Sequence, residues 1–204
     1  MKGRYHSMAV IFYMQPLNFD EINKGENKFT EFKTWLTGMK PSEVMEKKNE
    51  IRDRMWDLLE YAWMLGYDLA RDELGAGFED FYPPDFDKER DSEILKDIAG
   101  KNFEERTNEY AETGDIPSLI RVAETDSHRI YNAGGNFGAK GLAETKTWNT
   151  ALDNRVRDSH DYLEGVTVPI DEPFYTFNGD SAMYPGAFGI AEEDCNCRCY
   201  LTYQ

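Results

Sequence analysis

The sequence predicts an α+β protein, in which a helical N-terminal half is followed by a small domain of helices packed on a mainly antiparallel sheet. Apolar residues recur at helical spacing through the first half of the chain. Short β-prone segments, separated by Pro, Gly and Asp, appear only after Gly141. A Gly- and Pro-containing stretch at 75–87 lies between the two patterns. We therefore expect a helical region over residues 1–84 and a second domain over residues 85–204.

The composition excludes several classes of protein. A chain of 204 residues that is 40% apolar and 14% aromatic can bury a core, which argues against intrinsic disorder. A membrane-spanning helix needs roughly 18 consecutive apolar residues, and no segment approaches that length. The net charge of −16, with no basic block, disfavours direct binding to nucleic acid or to an anionic membrane.

The ends of the chain indicate where the protein is made. The apolar run from Met8 to Met14 is too short for a signal peptide, and it predicts a strand or a docking arm instead. Three cysteines within five positions cannot form a disulfide framework. A reducing compartment such as the cytoplasm fits these features best.

Four helices are predicted from apolar spacing and punctuation. The clearest runs from about Ser42 to Leu74 and is bounded by Pro41 and Gly75. Its apolar stripe comprises Ile51, Met55, Leu58, Ala62, Leu65 and Leu69, widened by Trp56, Leu59 and Trp63. The other three are expected to begin at Asn18 or Asp20, at Ser92, and at Pro117, ending near Gly38, Glu112 and Asn132. The pair Gly134-Gly135 is interpreted as the stop of the last helix.

The C-terminal quarter concentrates the chemically active side chains. Short β-prone segments lie at Val166–Pro169, Phe174–Phe177 and Tyr200–Tyr203. Because side chains alternate along an extended chain, Arg155 and Arg157 are expected on one face. For the same reason, one face should carry the three thiols, which belong to Cys195, Cys197 and Cys199.

An ordered set of short motifs spans the second half of the chain. It comprises Glu124-Thr-Asp-Ser-His-Arg129 with Asn132, Lys146-Thr-Trp148, Asp153-x-Arg155-x-Arg157, Ser159-His160-x-x-Leu163-x-Gly165, Tyr184-Pro185-Gly186 and Asn196-Cys197-Arg198-Cys199. In order and spacing the set resembles the C-terminal domain of the phage Mu F-like head-morphogenesis proteins, also called minor head or minor capsid proteins. The resemblance covers about Leu95 to Tyr203, with Glu164 where the family has aspartate and an extra thiol at Cys195.

The resemblance implies a structural role in a phage head. Family members are made in the host cytoplasm, enter the procapsid or virion in few copies, associate with the portal, and serve head assembly and in some cases DNA delivery. Portal or capsid proteins, or a second copy of the chain, are the expected partners, with no membrane and no strong direct nucleic-acid binding. The residues then expected to hold the domain in shape are Trp148, Asp153, Arg155, Arg157, His160, Gly165, Pro185, Cys197, Arg198 and Cys199.

An enzymatic alternative uses part of the same set. Arg155 and Arg157 would bind phosphate, His160 would act as acid or base, and Glu164 would polarise a hydroxyl, as in a nuclease or a nucleotidyl- or ADP-ribosyl-transferring toxin-like domain. The structural interpretation is an Arg fork on Asp153, Asp158 or Asp161 and a histidine bound to backbone. Structural charge pairs are commoner than catalytic ones, so we favour the absence of catalysis.

A zinc-binding interaction module is the third interpretation. His160, Cys195, Cys197 and Cys199 supply the ligand types that tetrahedral zinc prefers. However, structural zinc sites use gaps of about two to four residues between cysteines, and the Cys-x-Cys spacing departs from that pattern. We therefore expect no metal and no cofactor, with the cysteines buried as small apolar residues.

Two further expectations concern helix faces. His128 falls four residues after Glu124 and should pair with it, although a position beside the C-terminal site is the alternative. Trp56, Trp63 and the aromatic residues before Pro83 are expected to be buried, with an interface for a partner protein as the alternative.

Overall fold

A computed structural model describes residues 28–76 and 82–204. It confirms the predicted fold class, because helices dominate the front of the chain and an antiparallel sheet with further short helices follows. The predicted arm from Met8 to Met14, the start of the first helix near Asn18, and the aromatic residues Phe78 and Phe81 lie outside the described residues. No helix in the described ranges is long and apolar enough to cross a membrane.

In the part of the chain that the structure describes, six helices form the first layer and two short helices lie in the C-terminal part. They are α1 (Lys28–Thr37), α2 (Pro41–Glu46), α3 (Lys48–Glu73), α4 (Phe86–Ile94), α5 (Phe103–Thr113), α6 (Ile116–Ala139), α7 (Asp158–Asp161) and α8 (Ala191–Asp194). The stripe predicted for α3 is buried at Ile51, Met55, Leu58, Leu59, Ala62 and Trp63, whereas Trp56, Leu65 and Leu69 are only partly buried. The wide apolar face of α3 packs against other helices of the same chain, because α3 contacts α1, α4, α5 and α6.

The helix pair α3 and α6 forms the largest contact between elements. A Cβ atom placed on Gly134 would lie 2.2 Å from the carbonyl oxygen of Trp63, and one on Gly66 would lie 2.0 Å from that of Tyr131. Only glycine permits such close approach of two helix backbones. The prediction that α6 stops at Gly134-Gly135 is therefore wrong, because these glycines lie inside the helix at its packing surface.

Other helix boundaries also differ from the sequence prediction. The helix expected from Ser42 to Leu74 is divided at Lys47 into α2 and α3. The helix expected from Ser92 to Glu112 is divided into α4 and α5 by residues 95–102, where Ala99 and Gly100 have positive φ. Asn102 then caps α5 by accepting a hydrogen bond from the backbone N–H of Glu105 at 3.1 Å. The predicted proline in the first turn of α6 is confirmed, and Asp115 caps this helix by accepting a hydrogen bond from the backbone N–H of Ser118 at 3.1 Å.

The sheet is small and antiparallel. The strands in the described residues are β1 (Thr145–Asn149), β2 (Thr167–Pro169), β3 (Phe174–Tyr175), β4 (Ser181–Ala182) and β5 (Tyr200–Tyr203), of which β1, β2 and β5 form this sheet. The order β2-β1-β5 places β1 at the centre, with Trp148 opposite Leu201, and β3 pairs with β4 as a separate hairpin. Three of these segments were predicted, whereas the central strand β1 was not. Trp148 from β1 is fully buried and joins the same apolar core as α3 and α6.

Candidate functional site

The candidate site lies where the C-terminal segment folds back beside β1. It is built from the turn after β1, the short helix α7, and the chain between α8 and β5. Asn196 has a φ of 56°, in the left-handed region that asparagine tolerates better than most residues. This turn separates Cys195 from Cys197, so the three thiols do not follow one extended strand as predicted.

The centre of the site is the imidazole of His160. Its Nδ1 lies 3.6 Å from the sulfur of Cys197 and 3.4 Å from the sulfur of Cys199. All three side chains are buried, and their three donor atoms lie within 4.8 Å of one another. The ring packs edge-on against Trp148 with centroids 5.4 Å apart and stacks on Phe188 at 5.5 Å. The imidazole thus joins two thiols inside an aromatic enclosure.

The opposite side of the ring faces a carboxylate. Nε2 of His160 lies 3.0 Å from a carboxylate oxygen of Glu193, at ion-pair length but not aligned as a hydrogen bond. The hydroxyl of Ser159 donates a hydrogen bond to the same oxygen at 2.7 Å. The structural interpretation expected a hydrogen bond from His160 to backbone, and the ring has thiol and carboxylate neighbours instead.

Arg157 joins α7 to the C-terminal segment. Its guanidinium donates hydrogen bonds to the backbone carbonyl oxygens of Glu193 and Cys195, the latter at 2.5 Å. The predicted arginine fork is therefore present, but its acceptors are main-chain carbonyls and not the carboxylates that the sequence suggested. The charged side chain of Arg157 thus satisfies two carbonyl oxygens of residues that lie 36 and 38 positions later in the sequence, and it links these two parts of the chain.

Asp153 is the carboxylate that pairs with arginine. Arg198 donates two hydrogen bonds to it, at 2.8 and 2.5 Å, and these hold the pKa of Asp153 well below its usual value. Arg155 also approaches Asp153, at 3.4 Å, but its side chain is 74% exposed. Arg155 and Arg157 do not lie on an extended strand as predicted, because residues 154 and 155 form a turn.

Three further motif residues shape the backbone around the site. Gly165 has a φ of 72° and donates its N–H to the carbonyl of Trp148 at 2.9 Å. Glu164 accepts a hydrogen bond from the backbone N–H of Thr150 at 2.6 Å. Pro185 is buried and precedes Gly186, where an added Cβ would lie 3.0 Å from the side chain of Arg129. These contacts position the chain segments around the site.

The two buried thiols differ in acidity. Burial by itself raises the pKa of Cys197, but hydrogen bonds from Cys199 and His160 outweigh it, so the pKa of Cys197 lies well below its usual value. The pKa of Cys199 is raised, because this thiol hydrogen-bonds to Cys197 and is itself buried. Burial also raises the pKa of Cys195, whose sulfur lies outside the group formed by His160, Cys197 and Cys199.

His128 on α6 reaches the same region from the helical layer. The side-chain nitrogen of Asn132 lies 3.4 Å from Nε2 of His128 and 3.4 Å from the carbonyl oxygen of Cys199. Burial lowers the pKa of His128, which keeps the ring neutral. The predicted pair between His128 and Glu124 is not formed, because Glu124 makes an exposed ion pair with Lys33 at 3.6 Å.

A small, partly open pocket borders the site. It is lined by Ala151, Arg155, Val156, Arg157, His160, Asn196, Cys197, Arg198 and Cys199. Of the four residues proposed for catalysis, Arg155, Arg157 and His160 reach this pocket, whereas Glu164 is not among its lining residues. The four candidates are thus not brought together around one space where a substrate could react.

Sequence reasoning missed a buried network that positions the family motif. Asp126, which is fully buried on α6, bridges Arg106 at 2.6 Å and Arg129 at 3.3 Å. Arg129 also donates to the carbonyl of Glu93 at 2.7 Å, and Tyr184 donates to the Glu93 carboxylate. Asp126 and Arg129 are three apart in the sequence, which is the one local signal of their pairing.

Fold and site together define a class: a helical layer packed on a three-stranded antiparallel sheet, with a C-terminal Asn-Cys-Arg-Cys segment folded onto a buried histidine. The sequence profile of the family described as "Phage Mu protein F like protein" matches residues 94–202, more than half of the chain. The chain belongs to this family, as the resemblance indicated.

Two curated proteins are similar to part of the chain. The chain is 39% identical over 86 residues to "Minor head protein GP7" of Bacillus phage SPP1, a match that covers 40% of this chain and 28% of that protein. It is 34% identical over 108 residues to "NAD(+)--arginine ADP-ribosyltransferase EFV" of Enterococcus faecalis (strain ATCC 700802 / V583), covering 49% of this chain and 22% of that protein. The chain thus matches only about a quarter of the length of either relative. No solved structure matches the chain.

Proposed function

We propose that the protein is a phage minor head protein that acts in head assembly at or near the portal. Membership of the Mu F-like family and the similarity to a minor head protein of phage SPP1 support this role. We infer synthesis in the host cytoplasm and incorporation into the procapsid or virion. DNA delivery, if the protein serves it, would act through protein partners, because a chain of net charge −16 is repelled by DNA.

The observation that carries the proposal is the use of the motif side chains as ties between distant segments. Arg157 is bound to backbone carbonyls and Arg198 is bound to Asp153. An enzyme needs these groups directed at a substrate, whereas a structural protein needs them satisfied by the chain itself. The arrangement therefore favours a structural domain. The match to the ADP-ribosyltransferase covers 22% of that protein and does not carry its activity to this chain.

An exposed aromatic pair on the C-terminal region supports contact with another protein. Tyr162 and Phe177 are 59% and 57% exposed, and their rings meet edge to face at 5.9 Å. Exposed aromatic side chains of this kind are favoured as anchors in protein interfaces. We propose that this pair contributes to binding a portal or capsid protein.

Co-expression with the portal and major capsid proteins of the same phage, followed by sedimentation of the particles, tests the function. We expect the wild-type chain to co-sediment with portal-containing precursors and to be lost from particles assembled without portal. The double variant Tyr162→Ser, Phe177→Ser should fold normally and be depleted from particles.

Met45→Ser is the matched control, because Met45 is also 59% exposed but lies on α2 in the helical layer. Recovery of the control at the wild-type level, with loss of the double variant, would support the interface. A wild-type chain that sediments alone, apart from particles that contain portal and capsid protein, would contradict the head-assembly role itself. A wild-type chain that runs as a dimer by light scattering would show self-association in addition.

A further inference from the structure

Three buried donors converge on one small volume beside the pocket. Nδ1 of His160 is 3.6 Å from the sulfur of Cys197 and 3.4 Å from that of Cys199, and all three atoms lie within 4.8 Å of one another. The histidine comes from α7, and the cysteines come from the turn before β5, 37 and 39 residues later. The fold therefore brings an imidazole and two thiols together from segments that are far apart in sequence.

These distances fit the ligand shell of a tetrahedral zinc ion. With Zn–S of about 2.3 Å and Zn–N of about 2.0 Å, a tetrahedral angle puts nitrogen and sulfur ligands about 3.5 Å apart. The two observed nitrogen–sulfur distances lie within 0.1 Å of that value. We propose that His160, Cys197 and Cys199 bind a zinc ion.

The Cys-x-Cys spacing argued against a metal, and the favoured alternative was a set of apolar cysteines that alternate along an extended strand. The chain instead turns at Asn196, and the N–H of Cys197 bonds to the carbonyl of Asp194 at 3.3 Å. This turn lets the side chains of Cys197 and Cys199 approach the same ring nitrogen. Cys195, the remaining thiol, lies on the other side of the turn and outside the donor group.

The surroundings of the donors match those of a metal site. Zinc-binding histidines usually direct the second ring nitrogen at a carboxylate, carbonyl or water, which fixes the ring. Here Glu193 lies 3.0 Å from Nε2 of His160, and it is held in turn by Ser159 at 2.7 Å.

The charges also balance. Two thiolates and a neutral imidazole neutralise a divalent ion, so zinc and its three ligands together carry no net charge. The neighbouring guanidinium of Arg157 is engaged by carbonyl oxygens and that of Arg198 by Asp153. The pocket that all three donors line provides the route by which the ion enters and the open side for a fourth ligand.

The alternative is a network of S–H···N hydrogen bonds between buried thiols and the histidine, with no metal. The two arrangements place the same atoms at similar distances, but they differ in metal content. The structure also supplies a matched control, because Cys195 is the same residue type two positions away.

Elemental analysis of reduced protein purified without chelator tests the site. We expect about one zinc per chain in the wild type and in Cys195→Ser, and at least about a tenfold lower content in Cys197→Ser and Cys199→Ser. Less than about a tenth of a zinc per chain in the wild type, or equal zinc in Cys197→Ser and the wild type, would overturn the proposal.

A second measurement decides the question if the cysteine variants fail to fold. Apo wild-type protein is titrated with Co²⁺ alone, which adopts the geometry of zinc and gives visible d–d bands and a thiolate-to-cobalt charge-transfer band. Saturation at one equivalent, with the strong bands of a tetrahedral thiolate site, is expected, and added zinc should displace the cobalt. An absence of the charge-transfer band at saturating Co²⁺ would refute zinc binding through these thiols.

Discussion

The helical layer and the C-terminal segment after α6 are held together by different forces. In the helical layer, apolar stripes such as that of α3 meet along their length, and glycines bring α3 and α6 into backbone contact. In residues 140–204 the strands are two to five residues long, and the segment depends on side chains that bind backbone and on buried charges.

This difference shows in which part of the molecule polar contacts stabilise the fold. A long amphipathic helix satisfies its own backbone and needs only an apolar partner. A loop-rich segment leaves many backbone groups without partners in regular structure, and buried ones must be satisfied by side chains. Here the side chain of Arg157 donates a hydrogen bond to the backbone carbonyl of Cys195. The carboxylates of Glu164 and Asp194 accept hydrogen bonds from the backbone N–H groups of Thr150 and Gly189.

The largest expected effect concerns the buried charges where the two regions meet. Asp126→Ala would leave Arg106 and Arg129 without their shared carboxylate inside the protein. Breaking a buried ion pair on one side costs about 3–5 kcal/mol. We expect that loss in the free energy of unfolding by urea denaturation. Glu124→Ala is the control on the same helix, and its exposed pair with Lys33 predicts a change below about 1 kcal/mol. Equal effects of the two changes would show that the network is not structural.

The next effect tests the helical layer. Gly134→Ala would place a methyl group 2.2 Å from the carbonyl oxygen of Trp63, so α3 and α6 must separate. We expect a loss of about 3 kcal/mol, at the upper end for overpacking. Gly38→Ala, whose added Cβ has its nearest neighbour at 3.4 Å, should change stability far less. Thermal unfolding of Gly134→Ala at the wild-type temperature would show that the helix contact is loose.

A third effect tests the polar ties of the C-terminal segment. Arg157→Lys keeps the charge but loses the planar fork that aligns two N–H donors with the two carbonyl oxygens. We expect a loss of about 2 kcal/mol. Arg155→Lys serves as the control, because Arg155 is 74% exposed and should contribute less than about 0.5 kcal/mol. Unchanged thermal stability of both variants would show that Arg157 does not stabilise the C-terminal segment.

The smallest effect is a pH dependence. Lys146 is fully buried, donates to Asn136 at 3.2 Å and to the carbonyl of Met183 at 2.8 Å, and burial lowers its pKa to about 8. Below pH 8 both the folded and unfolded states are protonated, and the folded state bears the full cost of a buried charge. Between pH 8 and the ordinary value of 10.5 the folded state alone loses its proton, so stability rises with pH.

Lys146→Met should lack this rise, which we expect to be no more than about 2 kcal/mol after allowance for solvent screening. The measurement is the difference in unfolding free energy between wild type and variant at several pH values, which removes contributions from other groups. Lys88→Met, at an exposed position, should keep the wild-type pH dependence. A difference between wild type and Lys146→Met that does not change with pH would contradict a depressed pKa.

Some of the fold was predictable because its cause is local. The stripe of α3, the proline-initiated start of α6 and the strand at Tyr200–Tyr203 follow from spacing and punctuation, and the structure confirms them. The candidate site was less predictable. His160, Cys197 and Cys199 were named as zinc ligand types, but Glu193 and Asn132 were given no role there, since their partners lie 33 or more residues away.

The sequence by itself determined the fold class and the family, because periodic apolar residues and an ordered set of motifs are written along the chain. The tertiary structure alone decided that Gly134 and Gly135 continue a helix, since their partner, α3, is distant in sequence. It also decided that β1 is the central strand, and that one imidazole and two thiols share a buried volume. In each case the interaction joins segments that are far apart in the sequence, so no local sequence pattern predicts it. These segments approach each other only once the core has formed.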